Sequence, residues 1–343
     1  MYTDCMHTPA ERELTQPGTV LSRNGIPNPG WSRRMLLAYS RKHIHTSPFR
    51  IKEWDWYQIQ NDHLCLQFTI GHASYAGQIG VMLFDFARGE KLLEKNRILA
   101  FPFNSLHMPA NAETDGRLAY DKNGVFLEYV TKGAVRTITC RWDDVESTIV
   151  MEHRHPDSLV LNIPFNEDPH DFYYNEKINC MPGSGFVRQG NSRWTFDEKD
   201  SFGLLDWGRG VWPFHNEWFW SNGTGYVDGK LFGFNAGCGF GNSDTAGENI
   251  VFYDGQSYKI GKTDFFIDTN DYLQPWRICD RERRLDLTLT PCYDRKTMTK
   301  LLWINNCTHQ MYGKFTGTVV LSKGKYLHID NLYSFAEHAV NNW

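Results

Sequence analysis

The sequence predicts an all-β protein built from two antiparallel β-barrel domains in tandem, and three observations carry that expectation. Apolar residues recur with period two in short runs. Leu64, Leu66, Phe68 and Ile70 alternate with Cys65, Gln67 and Thr69, and Leu285, Leu287 and Leu289 alternate with Asp286, Thr288 and Thr290, the pattern of strands buried on one face. Turn signals punctuate the runs at Lys122-Asn123-Gly124, Val227-Asp228-Gly229, Tyr253-Asp254-Gly255 and Lys323-Gly324, which is hairpin chemistry that uses positive φ. Helical periodicity is scarce: residues 33–41 and 87–98 are the only fair candidates. A βαβ architecture with a nucleotide crevice therefore has little support.

The 343 residues exceed the roughly 250–300 beyond which chains usually split, so two domains are expected. Residues 179–200 are rich in Gly, Ser and charge and lie between strand-rich stretches. A boundary placed there divides the chain into an N-terminal barrel with an extension, 1–183, and a C-terminal barrel, 184–343. The halves share a plan of short strands and tight turns without an exact repeat.

Composition narrows the function. Lys and Arg number 36 against 40 Asp and Glu, a net charge of −4, which gives no electrostatic reason to bind nucleic acid or an anionic membrane. The start lacks an apolar stretch and no window reaches a membrane span, so a cytoplasmic protein is expected. Eight dispersed cysteines without a CxxC pair read as isolated thiols.

The densest chemistry lies between residues 205 and 220. Four Trp and two Phe accompany Asp206, Arg209, His215 and Glu217, and a carboxyl desolvated by indole rings stays protonated and can act as an acid. The competing reading is an Asp206–Arg209 ion pair that fixes a turn. Period-two geometry puts Trp218 and Trp220 on one face and Glu217 on the other. Downstream, Gly233 to Asn249 holds a GxGxG core without the helix or spacing of a phosphate loop, so its glycines are expected to allow close backbone approach along a ligand wall. Glu248 and Asn249 stand just before the 250–253 strand. His153 and His155 share a strand face, but no third metal ligand follows by spacing. Neither a GxSxG elbow nor a Cys nucleophile signature occurs.

At the series DWGRGVWPF, GFNAGCGFGN, GEN and FYDG, with the ending Phe335-Ala336-Glu337-His338, the chain resembles the bacterial domain-of-unknown-function 2804 family over nearly its whole length. More distantly it resembles the two-barrel carotenoid 1,2-hydratase, tocopherol cyclase and Diels–Alderase group. That resemblance implies lipocalin-like barrels and a hydrophobic substrate handled without redox cofactors. The leading expectation is a cofactor-independent isomerase, cyclase or hydratase for a hydrophobic small molecule, with no metal. Asp206, Glu248 and His215 are the candidate catalytic residues. Arg209, Trp212, Glu217, Trp218, Trp220, Asn235 and Asn249 are the candidate substrate contacts. The rivals are a non-catalytic binding protein for a lipid, pigment or aromatic metabolite, and a carbohydrate-active enzyme with Trp platforms. A homo-oligomer is compatible with the sequence, which does not set the oligomeric state.

Overall fold

The structure is a computed structural model that describes residues 11–301 and 304–342; Cys5 and the first residues read above for a leader lie outside them. Apart from three short 3-10 turns, the described residues form strands and connecting loops. Two curled, almost wholly antiparallel sheets of 13 and nine strands each wrap their own core, so the chain is a pair of lipocalin-like barrel domains.

Both sheets follow one plan. In the second, the meander His215–Val227, Lys230–Cys238, Ile250–Tyr253, Gln256–Lys259 runs outward to one edge, and the meander from Thr263–Phe266 returns from the opposite edge to Tyr326–Asn342, which pairs with His215–Val227. Lys259 and Thr263 are thus at opposite ends of the sheet path yet joined by three residues, which span roughly 14 Å at full extension. A flat nine-stranded sheet would hold them roughly 38 Å apart. The sheet must therefore curl until its edges meet, and the Thr263 hydroxyl does donate across the seam to Asn249 Oδ1 at 2.8 Å. The first sheet repeats the scheme with Lys52–Gln60 as the inner strand of one meander and Phe172–Gln189 ending the other. Phe202–Val211 is inserted between them.

That insertion moves the division of the chain. The sheets change over between Val211 and His215, whereas the expected boundary at 183/184 falls inside the Phe172–Gln189 strand. The strand bulges at Asn179 and Cys180, with Cys180 at φ 60°, and Gly190 at φ 55° turns the chain into a hairpin with Ser192–Phe196. The two helix candidates fail as well. Residues 90–100 form a strand paired with Ala76–Asp85, and residues 33–41 contain the two-residue strand Leu37–Ala38, parallel to Gly18–Thr19, and the start of a 3-10 turn. Short runs of mixed apolar and charged residues fit either period, and pairing with a neighbour decides.

The barrels pack face to face through the outer faces of their inner strands. Trp31, Leu161, Ile163, Tyr173, Trp212, Phe240 and Phe252 form one apolar cluster on that seam, and Cys65, Phe84, Leu204, Trp220, Tyr312 and Phe335 form another. The bulged Cys180 packs against the outer face of the second barrel at Gly233, where a Cβ would stand 2.3 Å from its Sγ. Across the seam, Arg295 also bonds Glu94 at 2.6 Å. This cover explains a difference from the sequence pattern. Leu64–His72 is buried on both faces, because Cys65 and Gln67 meet the partner barrel instead of water. Leu285, Leu287 and Leu289 do alternate with half-buried neighbours. The seven described cysteines are free thiols, and no helix among the described residues is long and apolar enough to cross a membrane.

Candidate functional site

Alternation on the inner strands decides what reaches the seam. On Phe202–Val211, Asp206 points to the partner barrel while Trp207 and Arg209 point into the first barrel's core. Asp206 and Arg209 are three residues apart on an extended strand, so the expected Asp206–Arg209 pair does not form. Arg209, fully buried, instead bonds Asp55 at 2.7 Å and the carbonyls of Trp54, Gly208 and Pro109, and stacks on Trp207 at 4.0 Å. It holds the first barrel together and is withdrawn from the seam.

Asp206 finds its partners on the neighbouring strand. From Phe172–Gln189, Tyr173, Asn175 and Lys177 alternate onto the seam. Lys177 Nζ lies 2.9 Å from Asp206 Oδ2, and Asn175 Nδ2 donates to Asp206 Oδ1 at 2.6 Å. The second barrel supplies the other side. Glu248 Oε2 is 3.9 Å from the same Nζ, and the Lys177 ammonium sits 4.2 Å over the Trp220 ring. Glu337, on the last strand, accepts from Trp218 Nε1 at 2.9 Å and from Gln310 at 3.4 Å. Three carboxyl groups thus gather around one lysine beneath two indoles.

Their electrostatics differ. Burial pushes Glu248 above the usual carboxylate range; Lys177 opposes this, while Asp206 and Glu337 add to it. Glu337 is also pushed up by burial, with the Trp218 hydrogen bond pulling against Asp206. The Lys177 ammonium, joined at Glu337 by the charge of Arg295, offsets the burial of these two carboxyls only in part, so both hold their protons more tightly than a free carboxyl does. Asp206 is locked by Lys177 and Asn175. Glu248 lies farther from the ammonium, at 3.9 Å against 2.9 Å for Asp206, and is held by it less firmly.

The glycines and amides around this cluster build it. A Cβ on Gly237 would stand 3.0 Å from Glu248 Oε2, so the glycine lets the carboxyl lie against the strand. Gly208 does the same for Trp54, whose ring atoms lie 2.2–2.5 Å from where its Cβ would be. The glycines of the 233–241 segment therefore serve close packing of the barrels and of Glu248 itself. Asn235 accepts from Trp220 Nε1 at 2.8 Å and donates to the Glu248 carbonyl. Asn249 Oδ1 accepts from the Gly237 amide at 2.9 Å and from Thr263. These two amides position the Glu248 backbone. The loop before it is pinned by the N-terminal segment, since Glu11 bonds Lys259 at 2.6 Å and accepts from the Gly247 amide.

The remaining sequence candidates divide. Trp212 is buried against Trp54 and Phe240 with ring centroids 5.7 and 5.1 Å away, walling the seam beside Tyr173. His215 is exposed and bonds Asn342 at 2.9 Å, with no contact to Asp206 or Glu248. Glu217 points into the second barrel's mouth, where it bonds His338. His153 and His155 hold backbone groups at Asp157, and among the described residues no three His, Cys, Asp or Glu side chains converge as a metal site. Sequence reasoning missed Lys177, Asn175 and Tyr173. The run Phe172-Tyr173-Tyr174-Asn175-Glu176-Lys177-Ile178 carries two tyrosines and a glutamate across the alternation, so polarity did not mark which face they would take. Glu337 stood in a quoted motif without a role.

Two tandem barrels that share a buried acid cluster place the chain in the two-barrel lipocalin-like fold. It is similar over 95% of its length to CghA, at a TM-score of 0.58 and 9% identity with 97% of that chain covered. The complex of CghA with Sch210972 gives 0.56 and 10% over 95% and 97%. Kievitone hydratase from Nectria haematococca gives 0.52 and 10% over 94% and 96%. No curated protein sequence matches the chain. The chain belongs to the domain-of-unknown-function family DUF2804, whose profile matches residues 11–343.

Proposed function

We propose that the protein is a cofactor-independent isomerase, cyclase or hydratase that protonates or deprotonates a hydrophobic small molecule at the seam between its barrels. The observation that supports this most is the pair of carboxyls, Glu248 and Glu337, raised above their ordinary pKa beside a lysine-locked Asp206. A general acid needs a proton at neutral pH and an apolar approach. Glu248 supplies the first and Tyr173, Trp212, Trp218 and Trp220 the second. In this reading Glu248 moves the proton, Lys177 and Asp206 set its affinity for it, and Glu337 is the second acid. The indole faces shield positive charge that develops on an alkene or enol carbon. The likeness to kievitone hydratase is one of fold and agrees with this reading.

A binding protein for a lipid, pigment or aromatic metabolite is the second reading, favoured by the tight lock on Asp206. The sugar-processing alternative loses its main support, because Trp212 and Trp220 are buried and engaged edge-on with other rings, where they offer no open platform. Incubating the protein in D2O with a panel of isoprenoid and polyphenolic compounds and reading mass shifts separates the two. An enzyme incorporates solvent deuterium or alters a compound, and Glu248→Gln lowers that rate roughly a hundredfold or more while retention of the compound on the protein persists. Retention without any chemical change in the wild type favours the binding reading.

A further inference from the structure

The strand pair that sends Trp218 and Glu337 to the seam sends their neighbours, Glu217 and His338, to the open mouth of the second barrel. There His338 Nε2 is 2.7 Å from Glu217 Oε1. A carboxylate only accepts, so the imidazole carries its proton on Nε2 and presents Nδ1 as a lone pair. Tyr272, from the loop after Thr263–Phe266, places its hydroxyl 2.8 Å from that Nδ1. The arrangement is a hydroxyl, a base and a carboxylate that orients the base, which is the geometry of an activated nucleophile.

The surroundings fix these groups and leave room beside Tyr272. The His338 ring stacks on Phe219 at 4.2 Å. Tyr272 stacks on His309 at 3.7 Å, and His309 Nδ1 is held by Asp294 at 2.8 Å. Tyr272, His309, Asp294 and Lys296 line a cleft of about 480 Å³, a volume that suits a small molecule. Burial, reinforced by Cys307, Asp294 and Glu217, pushes the Tyr272 phenol up from its ordinary value. The resting hydroxyl therefore keeps its proton, and any nucleophilic attack depends on His338 to take it.

We propose that the mouth of the second barrel is a separate reactive site in which Tyr272 Oη, primed by His338 and Glu217, attacks small carboxylic or phosphoric esters. In the step, Oη bonds to the electrophilic carbon or phosphorus, the leaving group departs with its electron pair, and the phenolic proton passes to His338 Nδ1. The resulting imidazolium is paired with Glu217. Lys296 is the cation in the cleft for the oxyanion. This site stands independently of the chemistry assigned to the seam.

An alkyl fluorophosphonate is the probe: Oη–P forms, P–F breaks, fluoride leaves and His338 takes the proton. Intact mass and peptide mapping over time are expected to show one adduct, on Tyr272, forming faster than any on the exposed Tyr226 and Tyr326. Tyr272→Phe abolishes it, and His338→Gln slows it at least roughly a hundredfold. Glu217 is half-exposed, so Glu217→Gln keeps the fold, and it is expected to slow labelling about tenfold. An absent Tyr272 adduct, one no faster than at Tyr226 and Tyr326, or one formed at an unchanged rate in Glu217→Gln makes Tyr272 a structural plug and overturns the proposal.

Discussion

Replacing Lys177 by Met removes the cation bonded to Asp206 and Glu248 while keeping most of the side chain's volume over Trp220. Its ammonium is 2.9 Å from Asp206 and 3.9 Å from Glu248, and the side chain is 2% exposed. At an effective dielectric near 20, the Lys177–Asp206 charge pair at 2.9 Å is worth about 6 kcal/mol. Breaking a buried pair from one side costs about 3–5 kcal/mol, because the partner charge stays behind unpaired. For 343 residues, an unfolding entropy of about 2.1 cal/mol/K per residue turns that cost into a melting temperature lowered by roughly 4–7 °C. The loss should shrink at pH 5, where the stranded carboxyls take up protons. Asp206→Asn in the Lys177→Met background should restore much of the stability, since each single change removes the same interaction. Calorimetry of the four proteins at pH 5 and pH 8 checks this. A Lys177→Met protein that melts with the wild type at pH 8, or two changes whose effects simply add, would refute the electrostatic picture of the seam.

Two further expectations follow from buried groups. Burial, with Arg50 nearby, pushes Lys52 down to about 7, against the pull of Asp171, so between that value and its unfolded value the unfolded chain holds more protons. Stability should then rise with pH from about 7 toward 10 by at most roughly 1.4 kcal/mol per unit from this group, and urea unfolding of Lys52→Met should lack the rise; matching slopes would contradict it. Gly208→Ala drives a Cβ to within 2.2–2.5 Å of the Trp54 ring, so it should cost about 1–3 kcal/mol and change the near-ultraviolet tryptophan signal. An unchanged signal and stability would show that Trp54 does not need the glycine.

The sequence made the all-β class readable because hairpin turns and period-two runs are local signals. Leu285, Leu287 and Leu289 behave as that pattern predicts. Leu64–His72 does not, since its polar Cys65 and Gln67 face another barrel, and covering by a distant part of the chain leaves no local mark. The division at 183/184 missed for a related reason. A Gly- and Ser-rich stretch marks a bulged hairpin as readily as a linker, and only the sheet order shows that Phe202–Val211 belongs with the first barrel. Within the site, the Trp-rich stretch directed attention to Asp206 and Trp220 and the Gly-rich segment to Glu248, and Lys177 joins the three. Pairing Asp206 with Arg209 followed sequence proximity, although a spacing of three on a strand separates the two faces. Lys177 was not marked, because the adjoining Glu176 is also charged and buried and hides which face of the strand is polar. Glu337 was not either, because its partner Trp218 is 119 residues away.

The protonation of the seam carboxyls bears most directly on the proposed chemistry. Carbon-13 NMR of the glutamate side-chain carboxyls, with Glu248→Gln and Glu337→Gln to assign the signals, follows each titration in the folded protein. Both groups should titrate above 4.5, the value from which each is raised, and each should move further upward in Lys177→Met. Titration of both at or below that value would leave no proton to donate and would contradict an acid–base role for the seam.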